Sequence, residues 1–187
     1  MSDVGVESPH TLSVTKDGVL LVLKNERYSC YMSSSNLKIY NRDATLREIV
    51  TMNKEIVDAR HVVETSTGNF VVCHTGKKEY GPDGKREEGI TEVSRDGKTV
   101  IRRFFSTCET QRLEYPVYLW IGTDDKLLVT DQCGQVIMLD TDMNWSGIIV
   151  PANDKELPWR LHFDEDEKQL LVGLTGKLAG AVAYKLE

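Results

Sequence analysis

The sequence predicts an all-β fold, a β-propeller of about four blades, and three observations predict it. One plan of short β-rich run, polar turn and apolar run returns four times. A second pair of strand-like runs follows in the first three copies, which makes four antiparallel strands per unit. Apolar residues do not recur at intervals of three and four over any long window, while Thr, Val, Ile and Tyr crowd the runs.

The copies begin at Pro9 (PHTLSVTKDGVLLVL), Arg60 (RHVVETSTGNFVVCH), Pro116 (PVYLWIGTDDKLLVT) and Pro158 (PWRLHFDEDEKQLLVG). Their turn residues Gly18, Gly68 and Asp125 stand 50 and 57 residues apart, and Glu167 follows 42 after Asp125. Unequal spacing means loops of variable length around a fixed unit. The blades are expected at roughly 9–57, 58–114, 115–156 and 157–187, in a single domain.

In each copy the first run forms the inner strand. The second run, VLLVL, FVVC, KLLV or QLLV, is apolar at consecutive positions, so both its faces need cover, and neighbouring blades supply it. NLKIYN, ITEVSRDG and QVIMLDTD read as third strands, and LREIVTM, KTVIRRFF and WSGIIVP as fourth strands near a solvated rim. Residues 43–59 carry the best helix pattern in the chain, with Leu46, Ile49, Val50 and Met52 near one face, but their place in the repeat favours a fourth strand. Two insertions, residues 25–36 and 76–89, read as a polar loop and a long solvated hairpin tip.

LSVTKDGVLLVL, LKIYNRDATLREIV, RHVVETSTGNFVVCHTG, TEVSRDGKTVIRRF, LLVTDQCGQVIMLD and LPWRLHFDEDEKQLLVGL together resemble the NHL-repeat β-propeller regions of invertebrate tripartite-motif-like proteins. The resemblance implies six blades in a full ring, with a disc face that binds protein partners or single-stranded RNA. The zinc modules that make such proteins ubiquitin ligases have no counterpart in this sequence, so the resemblance implies the recognition half alone. Four units, the last with about three strands, describe an incomplete ring. Three resolutions follow, a closed but small four-bladed ring, completion by another chain or a fragment of a longer product, and the exposed blade edges favour completion or self-association.

Loops between blades gather on one propeller face. There the plan places Arg60, His61, Tyr118, Trp159 and Arg160, residue types that anchor partners through large contact area and directed donors. Packing offers a plainer role for them: aromatics between blades, arginines paired with acids, and His61 and His162 as satisfied core histidines at the same place in two repeats. A net charge of −6 disfavours RNA, whose affinity comes from clustered cations.

Catalytic signals are thin. No glycine-framed serine elbow is present, and neither glycine-lysine pair of the 76–89 insertion is followed by Ser or Thr in the phosphate-loop frame. The acidic pairs at 124–125 and the acidic run at 164–167 sit at turns, where carboxylates serve the turn, although a metal-dependent propeller hydrolase or lyase would need such groups in its channel. Cys30, Cys73, Cys108 and Cys133 are too scattered for a zinc or redox motif and are expected to be free thiols, mostly buried. Asn144-Trp145-Ser146 matches a glycosylation acceptor by chance on this reading. The start has no secretory pattern and no apolar run suits a membrane span, so a cytoplasmic chain is expected. The expectation is therefore a non-catalytic binding or scaffold module without cofactor or metal.

Overall fold

The computed structural model describes residues 11–29, 32–78, 86–105, 113–122, 124–152, 156–164, 167–176 and 180–185. All their regular structure is strand, in four antiparallel sheets arranged as a four-bladed propeller. Blade 1 holds β1 (Thr11–Val14), β2 (Leu20–Ser29), β3 (Met32–Tyr40) and β4 (Leu46–Thr51). Blade 2 holds β5 (Val57–Glu64), β6 (Phe70–Lys78), β7 (Arg86–Val93) and β8 (Val100–Phe105). Blade 3 holds β9 (Pro116–Ile121), β10 (Leu127–Asp131), β11 (Val136–Leu139) and β12 (Trp145–Val150). Blade 4 has three strands, β13 (Glu156–Asp164), β14 (Gln169–Gly176) and β15 (Gly180–Lys185). Each sheet runs in chain order, so hairpins make every connection within a blade.

Six of the described hairpin turns share one construction. At Thr15, Asn41, Thr65, Gly122, Asp131 and Asp140 the backbone N–H donates to the carbonyl four residues on, and the residue three on donates back. That third residue takes a left-handed φ, as a type I turn followed by a bulge requires. Gly18 and Gly68 fill it with φ of 74° and 81°. Ala44, Asp125 and Met143 fill it without being glycine, at φ of 62°, 58° and 63°.

The double cover expected of the second strands is present where a blade has two neighbours. Phe70 and Val72 pack with Leu21, Leu37 and Ile39 of blade 1. Val71 and Cys73, one residue out of phase, pack with Leu119 and Leu127 of blade 3. Leu128 of blade 3 then packs with Leu161, Leu170 and Val172 of blade 4. Among the described residues no apolar cluster joins blade 4 to blade 1. Blade 1 consequently presents Leu12, Val14, Leu46 and Ile49 to solvent, with Val14 at 67% and Ile49 at 54% exposure.

Two readings of local structure need correction. Residues 25–29 and 32–36 are a paired extension of β2 and β3, not a loop, with Asn25 opposite Ser35 and Glu26 opposite Ser34, while 30 and 31 lie outside the described residues. The second insertion likewise begins and ends in strand, through Lys78 opposite Arg86, and its tip at 79–85 lies outside the described residues. The best helix pattern falls in β4, as its place in the repeat implied. Cys73 is a buried free thiol and Cys133 a half-buried one, while Cys30 and Cys108 lie outside the described residues.

Candidate functional site

A cavity of about 510 Å³ opens where the four inner strands begin, and every blade contributes to its wall. The repeat explains how. Thr11, His61, Tyr118 and Arg160 stand on one rung of the inner strands, opposite Leu23, Cys73, Thr130 and Gly173 of the second strands. Two residues further along those second strands come Asn25, Thr75 and Gln132, which line the same cavity. The far end of the channel is latched by turns: Lys16 Nζ donates to the Gly122 carbonyl at 3.4 Å, and the Ser66 N–H donates to Asp125 Oδ1 at 2.9 Å.

The rim is made by backbone irregularity. Asp58 and Tyr115, 57 residues apart and so equivalent in the repeat, hold φ of 48° and 53°. Left-handed backbone costs a residue other than glycine roughly 1–2 kcal/mol, and such strain collects at sites that need a side chain aimed. In β13 the ladder skips from Pro158 to Arg160, leaving Trp159 as the extra residue of a bulge. Consecutive strand residues ordinarily point apart, and a bulge turns one of them. Both Trp159 and Arg160 therefore reach the cavity, and Trp159 is 52% exposed.

The two arginines singled out in the sequence differ in employment. Arg60 is clamped: Nη1 donates to the Pro116 carbonyl at 3.0 Å and Nη2 to Thr75 Oγ1 at 3.0 Å. It also pairs with Glu88 at 3.5 Å and lies over the Tyr115 ring. Glu88 in turn accepts the Tyr115 N–H. The expectation of an acid-paired arginine holds here. Arg160 is exposed, lies 5.6 Å from the Tyr118 ring centre, and has no carboxylate partner among the described residues.

His61 is 1% exposed and its ring centre lies 4.0 Å from that of Tyr118. Nδ1 accepts the Leu119 N–H across the blade boundary at 3.4 Å, whereas Nε2 has no partner among the described residues. Burial, helped by the charge of Arg160, pushes its pKa down to about 3, so the imidazole is neutral. His162 is exposed and pairs with Leu171, two residues beyond the His61 rung, so the two histidines do not share a repeat position. Tyr118 is half-buried between blades 2 and 4, as a packing role predicts, and Trp159 is not. The strand bulge that exposes Trp159 leaves no mark in composition or hydropathy.

Asp58 and Asp131 bring carboxylates to the cavity. Asp131 is saturated: Oδ1 accepts the N–H groups of Cys133 and Gln135 at 3.0 and 3.2 Å. Its Oδ2 accepts the Gln135 amide at 2.6 Å and the Glu114 N–H at 3.2 Å. Burial outweighs these bonds and pushes its pKa up to about 6, with the charge of Glu88 adding to the rise. It therefore braces the rim.

Among the described residues no three His, Cys, Asp or Glu side chains come together at ligand spacing. The acidic pairs work in turns: Asp124 binds Lys126 at 2.7 Å, Asp125 accepts from Ser66, and Asp164 caps the Glu167 N–H at 3.0 Å. Cys73 is no nucleophile, because burial pushes its thiol up to about 12.

No protein-family model and no curated protein matches the chain. Solved structures do match its fold. A candidate gluconolactonase is 16% identical with a TM-score of 0.58, covering 100% of this chain and 63% of its own. A luciferin-regenerating enzyme is 12% identical with a TM-score of 0.54, covering 90% and 55%. A candidate 6-phosphogluconolactonase from Bacteroides fragilis is 16% identical with a TM-score of 0.55, covering 100% and 69%. The chain thus spans between 55% and 69% of the length of these structures. At such identity the likeness is one of fold. The expectation of a non-catalytic recognition module and of no enzyme is corrected to this extent: these three fold neighbours are named as an enzyme or as candidate enzymes, and none of the three as a scaffold. None of these three structures carries an NHL or tripartite-motif name; what they share with this chain is the β-propeller, with neighbours of gluconolactonase type.

Proposed function

We propose that the chain forms a catalytic propeller unit that hydrolyses a small cyclic ester of the sugar-lactone class at the channel mouth. The observation that carries this reading is the four-bladed cavity, of a size suited to a small ligand, which combines a carboxylate at a strained rim position with an exposed aromatic ring and amide donors. The names of the fold neighbours support the reaction class. The NHL-like wording of the blades remains part of our reading, since it describes the packing letters of the repeat and leaves the cavity unspecified.

Trp159 offers a flat apolar face to the carbon side of a sugar ring. Asp58 accepts a proton from water, and the water oxygen bonds to the lactone carbonyl carbon. The Gln132 side-chain amide donates to the oxyanion that develops. The ring C–O bond then breaks, and the proton held by Asp58 passes to the leaving alkoxide, giving an open-chain hydroxy acid. Asp131 takes no part in proton transfer because N–H donors occupy both its oxygens.

The test is lactone hydrolysis by the purified chain, followed by proton release on δ-gluconolactone above the spontaneous rate. Asp58→Asn is expected to lower kcat by roughly 10²- to 10⁴-fold, the range for loss of a general base, with the fold intact by circular dichroism. Equal rates for the variant and the original protein would remove Asp58 from the mechanism.

A further inference from the structure

We infer that the bulge in β13 builds an anion subsite, so that the preferred ligand of the cavity is a sugar bearing an anionic oxo group, a phosphate or a carboxylate. The inference rests on the sugar-binding part of the reading above and adds a charge requirement to it.

Three observations support it. Arg160 is the cavity guanidinium without an acidic partner among the described residues, whereas Arg60 spends its donors on Pro116, Thr75 and Glu88. Its ladder partner is Gly173, which has no side chain to cover the arginine's flank. Trp159, displaced by the bulge, stands beside it at the rim with half its surface exposed. A planar guanidinium offers paired N–H donors that match the oxygen spacing of phosphate and carboxylate. An aromatic face next to it holds the ring that carries the anion. No acid of the wall pairs with Arg160 among the described residues: the nearby imidazole of His61 is neutral, Glu88 is engaged by Arg60 and the Tyr115 N–H, and Asp131, which lines the cavity with Asp58, spends both carboxylate oxygens on N–H donors.

The subsite is tested by binding, without turnover, using D-glucose 6-phosphate, D-glucuronate and D-glucose in calorimetric titrations at low and moderate salt. The phosphate and the carboxylate are expected to bind about tenfold or more tightly than glucose, the worth of a charged hydrogen-bond pair, with the advantage shrinking as salt rises. Arg160→Gln should abolish the advantage while leaving glucose binding unchanged, and Trp159→Ala should weaken all three sugars alike. Binding by one anion alone identifies the oxo group as phosphate or carboxylate and still supports the site. Equal binding of all three sugars by the original protein, or discrimination retained in Arg160→Gln, overturns it. Anion binding that persists where no lactone is hydrolysed removes the hydrolase reading and leaves the subsite standing.

Discussion

His61 and His74 are buried as neutral rings while Asp131 is buried as a strained acid, and the three pull stability in opposite directions as pH changes. Burial pushes His61 down to about 3 and His74 down to about 4, against an ordinary value of 6.5. A base with a lowered folded pKa contributes stability that is full above 6.5 and is lost as pH falls, because only the unfolded chain takes up the proton. Asp131, raised to about 6 from 3.8, is penalised at neutral pH and is relieved as pH falls through 6. Between pH 7 and 4.5 the two histidines together lose about 5 kcal/mol and the aspartate returns about 2, so the histidines win by about 3 kcal/mol. The urea midpoint is therefore expected to drop over that interval. His61→Asn should flatten the drop, whereas an unchanged midpoint between the two pH values would refute the account. The residue types of this site were legible in sequence, since Arg60, His61, Tyr118, Trp159 and Arg160 all line one cavity. Their division of labour was not. Arg60 becomes a clamp only because Glu88 and Pro116, from other strands, arrive beside it.

At the level of strands and turns, polar turns between β-rich and unbroken apolar runs located the first hairpin of each blade, because buried strands favour such runs, while glycine marked the left-handed turn position at Gly18 and Gly68 and not at Ala44, Asp125 or Met143. Polar side chains on a paired strand imitate a loop. The β2–β3 extension is polar because its letters bond one another and the next blade: Asn25 donates to the Ala59 carbonyl at 2.8 Å and accepts the Ser35 hydroxyl at 2.6 Å. A polar stretch can thus be a paired strand. The same turn logic gives a prediction at Ala44, an exposed alanine at φ of 62°. Ala44→Gly relieves the left-handed strain and loses part of that gain to the entropy of a freer unfolded chain, for a net stabilisation of about 0.5–1 kcal/mol. Urea unfolding should show a higher midpoint with an unchanged slope. A lower midpoint would mean that the turn relaxes in solution.

For the molecule as a whole, the repeat register says what the exposed face of blade 1 is. Leu12, Leu20 and Val22 correspond, 50 residues on, to Val62, Phe70 and Val72, which blade 1 itself covers in blade 2. The first face is thus a blade-packing surface without a blade upon it, and apolar surface of this kind drives association. Light scattering is expected to show mass rising with concentration, and the double change Val14→Lys with Ile49→Lys, at two of the most exposed apolar positions, should return the chain to one molecular mass. A single mass at every concentration in the original protein would refute it. The cavity was the least legible feature at this scale. The cavity draws on Thr11 and Arg160 and on residues between them from every blade, so no short stretch of chain carries its signature.

The shared rung of Thr11, His61, Tyr118 and Arg160 has an evolutionary consequence. In a cup made from copies of one duplicated unit, the ladder that holds a rung is separate from the letter that occupies it. Selection can then rewrite ligand preference one blade at a time, by a single substitution on an inner strand, while the backbone pairing of all four sheets stays as it was.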